Sequence, residues 1–224
     1  MRALLFIALL LATSYSAQNK QKELADFSIT GNFCIPSILS SDMYRTSFDG
    51  IYEMNLSVNK AMGGGFFGGL GYQNVLFQND EGLKYAYFNA SIPYNTRLMG
   101  NGVFARFSYV RFFSAIGYMS YSMHAGYMMS HYYNVNADTS EANRPYGAQK
   151  FNAPYLQPEL AVNFIVDKTI SFGVILSYTT LFSKFDPKAP RFNQFEEISS
   201  QSNNYVMSWL NFGFNFNVLL HRKK

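Results

Sequence analysis

The chain is 224 residues long, enough for one domain, with a formal net charge of +4 and only 14% charged residues. Hydrophobic residues make up 48% of it, yet no internal run reaches the roughly 18 apolar residues that a membrane-spanning helix needs. The weight in Phe (22) and Tyr (17) favours strands over helices, and the lack of a basic cluster argues against nucleic-acid binding.

The N-terminus reads as a secretory signal over residues 1–17. Arg2 supplies the positive start, Ala3 to Ala12 the apolar stretch, and Ser14-Tyr15-Ser16-Ala17 the small residues for cleavage after Ser16 or Ala17. Residues 18–26 read as a loose, polar periplasmic lead-in, 27–220 as the folded domain, and 221–224 as a basic tail. Cys34 is the sole cysteine, so no internal disulfide can form.

Period-two alternation of apolar and polar residues predicts strands along the domain. The first runs over 27–37, with Phe27, Ile29, Phe33 and Ile35 opposite Ser28, Thr30, Asn32 and Cys34. The second covers 47–60, with Phe48, Tyr52, Met54, Leu56 and Val58 opposite Asp49, Glu53, Asn55, Ser57 and Asn59; Ile51 breaks the pattern. A tight turn at 61–64 leads to a third strand over 66–77. Its apolar parity changes near Asn74, which predicts a bulge there. A weakly patterned fourth strand starts near Lys84, is interrupted by Pro93, and Gly100-Asn101-Gly102 reads as a turn. The segment 93–112 is strand-like and fits either an extra hairpin or a strand that outruns the membrane.

The fifth strand is placed at 113–133, the sixth at 153–166, the seventh at 169–182 and the eighth at 205–219. In the last, Phe212, Phe214 and Phe216 alternate with Asn211, Asn215 and Asn217. Apolar groups on one face with amides behind them suit lipid outside and a polar lumen inside. The turns at 61–64 and 166–168 are short, whereas the loops at 37–46, 134–152 and 183–203 are long, as in an outer-membrane barrel. A secreted lipocalin-like barrel or sandwich would show the same alternation with the faces exchanged. The polar faces carry Ser, Asn, Gln, Gly and Tyr rather than Lys and Glu, which favours the membrane. The predicted fold is all-β: an eight-stranded antiparallel up-and-down transmembrane β-barrel.

The stretches Tyr155-Leu156-Gln157-Pro158-Glu159-Leu160 and Leu210-Asn211-Phe212-Gly213-Phe214-Asn215-Phe216, with the signal and the alternating strands, resemble the small outer-membrane β-barrels of Bacteroidetes-type bacteria. These are the PorT-like relatives of OmpA/OmpX-type barrels. The resemblance spans about 25–220 and rests on pattern more than motif. It implies an outer-membrane location with periplasmic termini, contact with outer-membrane lipid, and an accessory role toward a protein partner in an envelope complex. Many such barrels end on an aromatic read by the assembly machinery; here His221-Arg222-Lys223-Lys224 follow, and Phe214, Phe216 and Leu220 are the candidates.

No nucleotide loop, paired-cysteine metal site or nucleophile elbow occurs, and no cofactor is expected. The candidate site is a lumen polar network of Glu53, Gln73, His124, Gln157, Glu159, Asn211 and Asn215. Buried carboxylates need charged or hydrogen-bonding partners, and Arg106 and Arg111 are the possible cations. Ser122 and His124 share a face, so a lipid hydrolase is the enzymatic alternative, with Glu53 or Glu159 as the acid. An eight-stranded barrel is only wide enough for side chains to fill it, which argues against a small-solute channel. Tyr132, Tyr133, Phe151, Phe182 and Phe185 are expected to form an aromatic girdle at the membrane interface.

Overall fold

The computed structural model describes residues 24–40, 42–79, 84–87, 90–93, 96–134, 150–185 and 206–221; of residues 42, 43, 84–87, 90–93, 133 and 134 it describes the backbone alone. The segment read as a signal, most of the expected lead-in and the extreme tail lie outside them. The elements are β1 (Phe27–Ile38), α1 (Asp42–Ser47), β2 (Phe48–Gly63), β3 (Phe66–Asn79), β4 (Lys84–Tyr87), β5 (Ala90–Pro93), β6 (Thr96–Phe112), β7 (Gly117–Asn134), β8 (Lys150–Asp167), β9 (Ile170–Leu181) and β10 (Met207–Leu220).

Eight of the strands close into one antiparallel barrel in the order β1-β10-β9-β8-β7-β6-β3-β2. Apart from the closing pair, neighbours in the barrel are successive barrel strands along the chain, so the meander is up-and-down. The closing pair runs from Phe27 opposite Leu220 to Ile38 opposite Trp209. Closure pairs the strand edges that an open sheet would leave to the hydrocarbon. The turns β2–β3, β6–β7 and β8–β9 are short and lie at the end that holds both termini of the barrel. Gly63, Gly64 and Gly65 adopt φ of 91°, 63° and 83°, a left-handed run that only glycine enters readily.

The two faces decide the environment. Phe33, Leu56, Leu70, Val103, Phe212 and Phe214 point outward and are exposed, Leu70 by 74%. Asn32, Glu53, Gln157, Glu159, Asn211 and Asn215 point inward and are buried. A lipocalin-like barrel would have these exchanged, and soluble monomers do not present so continuous an apolar wall. The protein is an eight-stranded transmembrane β-barrel.

Several expectations are corrected. Lys84–Tyr87 and Ala90–Pro93 pair only with each other, as a hairpin outside the barrel. The fourth barrel strand is β6, which runs straight through Gly100-Asn101-Gly102. Those glycines face the lumen and make room for it: a Cβ on Gly100 would lie 2.7 Å from Met128 Sδ and 2.9 Å from Val75 Cγ1. With 17 residues, β6 is longer than the 9–11 a tilted strand needs to cross, so it also outruns the membrane. The fifth barrel strand starts at Gly117, and 113–116 is the turn before it.

Asn74 carries no bulge: the β2–β3 register is continuous there, and the odd positions of β3 face inward throughout. The apparent change of parity arises because the lumen itself becomes apolar at Val75 and Phe77. The irregularities lie instead between Gly50 and Tyr52, and between Ala61 and Gly63. The first of these absorbs Ile51 and exchanges the faces above it. Phe48 is therefore buried in the lumen, and Asp49 is exposed on the wall.

Candidate functional site

The lumen is filled in three layers. At the long-loop end, Phe77, Phe104, Met128, Tyr155, Met207 and Trp209 form an apolar core. Tyr44 of α1 and Phe185 close over it, with ring centroids 5.3 Å apart. Tyr132 belongs to this plug and Phe151 packs against it, so neither these two nor Phe185 forms an interfacial girdle. Phe182 alone of the expected girdle is exposed; the Tyr133 side chain lies outside the described residues. Burial pushes the Tyr44 phenol well above its ordinary pKa, with Tyr132 adding to the effect.

At the opposite end, Leu24 and Ala25 pack with Phe67, Val110, Tyr118 and Leu219. The last residues of the expected loose lead-in are thus a stopper. Asp26 N–H donates to Leu220 O at 3.1 Å, and Ala61 N–H donates to Asp26 O at 2.8 Å, which tie the stopper to the barrel rim.

Between the plugs lies the polar layer, positioned by register. Arg106 stands directly across from His124, and His124 across from Gln157; one step lower, Ser122 stands across from Glu159 and Glu159 from Ser177. Arg106 Nη2 donates to Glu159 Oε1 at 2.5 Å and to Ser122 Oγ at 3.0 Å, and its Nη1 donates to Ser57 Oγ at 3.2 Å. Glu159 Oε2 accepts from Asn32 Nδ2 at 2.8 Å. Asn215 donates to Asn32 Oδ1, and Asn217 to Asn215 Oδ1, each at 2.5 Å.

Glu53 is satisfied differently, by neutral donors. Its Oε1 accepts from Gln157 Nε2 at 2.6 Å and Asn55 Nδ2 at 3.1 Å, and its Oε2 accepts from Trp209 Nε1 at 2.7 Å. Because the Gln157 amide nitrogen faces this carboxylate, its oxygen faces His124 Nδ1 at 3.2 Å. An amide oxygen only accepts, so Nδ1 carries the proton. The ring stacks on Phe104 with centroids 4.5 Å apart, and its Nε2 lies 3.4 Å from Glu159 Oε2.

Of the residues expected to line the lumen, Glu53, His124, Gln157, Glu159 and Asn215 meet in this one network. Asn211 bonds Ser177 and Thr179 beside it, at 3.2 and 3.1 Å. Gln73 is fully buried across from Asn55 and beside the Glu53 carboxylate, yet among the described residues its amide reaches no partner at full hydrogen-bond geometry. Among the described residues Arg106 is the cation in the lumen; Arg111 has the parity of Phe107 and Tyr109 and belongs to the outer face. In the sequence, Trp209, Asn32 and Ser57 are legible only as lumen-facing positions, with no signal that they bond carboxylates or guanidinium. The hydroxyl of Ser122 receives Arg106, and no hydrogen bond joins it to His124.

Solved structures with a similar fold include Neisserial surface protein A (11% identity, 87% of this chain and 97% of that one, TM-score 0.48). They also include Ail of Yersinia pestis in complex with the heparin analogue sucrose octasulfate (9% identity, 85% and 97%, TM-score 0.45). A third is the outer membrane protein OprG from Pseudomonas aeruginosa (12% identity, 87% and 96%, TM-score 0.44). At these identities the likeness concerns the fold alone. No family model matches the chain. No curated protein matches it either.

Proposed function

We propose that this protein is an outer-membrane barrel with a non-enzymatic structural or interaction role, an accessory subunit of an envelope complex. In this reading both termini face the periplasm and the long loops face outward. The observation that carries it is the sealed lumen. Tyr44 and Phe185 close one end, Leu24 and Ala25 the other, and the Arg106–Glu159 pair crosses the middle. A barrel plugged in this way among its described residues is read as acting through its ends and its outer wall. By sequence the longest connections lie at the loop end, so we place the docking site there, on the loops at 134–152 and 183–203.

The test is recovery of the full chain in mild detergent from its native envelope, beside variants lacking either loop. A defined partner is expected with the intact chain and should be lost on deleting at least one loop. Repeated recovery of the protein alone, or a partner indifferent to both deletions, contradicts the reading.

A further inference from the structure

The outer wall holds a concave strip where a uniform apolar surface would be expected. Gly31 points outward from β1, and the position of its missing Cβ has nothing within 4 Å. The gap lies between Leu56 and Phe216, its register partners on β2 and β10. It widens into a groove of about 740 Å³ that reaches Tyr72, Asn74 and Asn101 on β3 and β6.

The far end of the groove is polar. Asn74 and Asn101 face each other across β3 and β6, both on the outward parity. Tyr72 OH donates to Asn101 Oδ1 at 2.5 Å, and Asn74 Nδ2 donates to the same oxygen at 2.9 Å. Asn74 Nδ2 also lies 3.4 Å from Gly100 O. These bonds fix both amide orientations. They leave Asn101 Nδ2 as a donor and Asn74 Oδ1 as an acceptor, without a hydrogen-bond partner among the described residues. Side-chain amides without partners are costly beside hydrocarbon.

Depth narrows the ligand. Asp49, Gln78 and Arg97 form one outward polar row at the long-loop edge of the wall. Asn74 and Asn101 lie four residues below Gln78 and Arg97, roughly 13 Å along the strands and roughly 10 Å in depth at the usual tilt. That is below the level of headgroup charges, where acyl chains join their backbone. A second copy related by a two-fold axis would set groove against groove and leave both unfilled. A single rod-like chain with a polar linkage at one end fits both parts.

We propose that this groove binds one membrane lipid through an amide-linked acyl chain. Asn101 Nδ2 donates to the linkage carbonyl, and Asn74 Oδ1 accepts from the linkage N–H. The chain descends past Gly31 between Leu56 and Phe216. An ester linkage offers only the acceptor and leaves Asn74 unpaired. The proposal rests on the transmembrane placement and is independent of any partner at the loop end.

The full-length protein in nanodiscs of equal parts palmitoyl-oleoyl phosphatidylcholine and palmitoyl sphingomyelin provides the test. The two lipids share a phosphocholine headgroup; sphingomyelin carries an amide-linked chain and a free hydroxyl, the glycerolipid two ester-linked chains. Native mass spectrometry reads the lipid retained by the ejected barrel. Sphingomyelin should be enriched roughly fivefold over the bulk ratio, as the one additional net hydrogen bond, to Asn74, allows. Asn74→Leu with Asn101→Leu should return the ratio to bulk, and Gly31→Leu, which enters open space, should lower retention of both lipids. Heat-modifiable mobility confirms that each variant is folded. A bulk ratio for the native chain, an enrichment unchanged in the double variant, or undiminished retention in Gly31→Leu overturns the proposal. A two-copy complex that disappears in the double variant overturns it in favour of self-association.

Discussion

Arg106→Met is expected to cost the barrel about 3–5 kcal/mol, because it leaves the Glu159 carboxylate buried without its cation. Both side chains are enclosed, at 4% and 0% exposure, and the ion-pair contact is 2.5 Å. Asn32 remains as a donor to Glu159, but a single amide does not replace a guanidinium. Adding Glu159→Leu removes the stranded charge and should recover part of the loss. Recovery stays incomplete, because Ser57, Ser122 and Asn32 then lose the groups they bond. Urea titration of the protein in vesicles, read by the gel mobility of folded and unfolded forms, measures all three. Equal stability of Arg106→Met and the native chain would mean that water reaches Glu159.

Trp209 should show the second large effect, and two substitutions separate its causes. Its ring is fully buried, meets Phe77 edge-on with centroids 5.2 Å apart, and donates to Glu53 Oε2 at 2.7 Å. Trp209→Ala removes packing and donor together and is expected to cost about 3–5 kcal/mol. Trp209→Phe keeps most of the ring and removes the donor to a carboxylate, for about 1.5–3 kcal/mol. The same urea titration distinguishes them. Indifference to Trp209→Phe would show that Gln157 and Asn55 alone satisfy Glu53.

The strands are legible in the sequence because side-chain parity is a local property. Phe212, Phe214 and Phe216 against Asn211, Asn215 and Asn217 already state which face meets lipid. Register is not local. Nothing near Arg106 in the chain says that it stands across from His124 of β7, or that Glu159 lies one step lower on β8, the strand beyond. Hence the carboxylates are foreseeable as lumen groups, whereas the division into a guanidinium-paired Glu159 and an amide-bound Glu53 is not.

Parity also misleads where the lumen changes character. Val75 and Phe77 resemble a switch to the lipid face, yet they point inward to an aromatic plug, because the inside of the barrel is polar only at mid-height. The real switch, at Ile51, lasts one residue and leaves too short a run beyond it to be recognised. Gly100 and Gly102 imitate a turn for a related reason. Glycine in a strand marks either a bend or a close approach, and the approaching Met128 and Tyr155 come from other strands.

A barrel plugged at both ends and crossed at mid-height by the Arg106–Glu159 pair should pass no ions, and planar-bilayer conductance of the reconstituted full-length protein reads this out. The predicted record is indistinguishable from the bare bilayer, for the native chain and for Glu53→Gln and Glu159→Gln alike. Discrete conductance steps in the native chain, abolished by either substitution, would contradict it and make the polar layer an ion path.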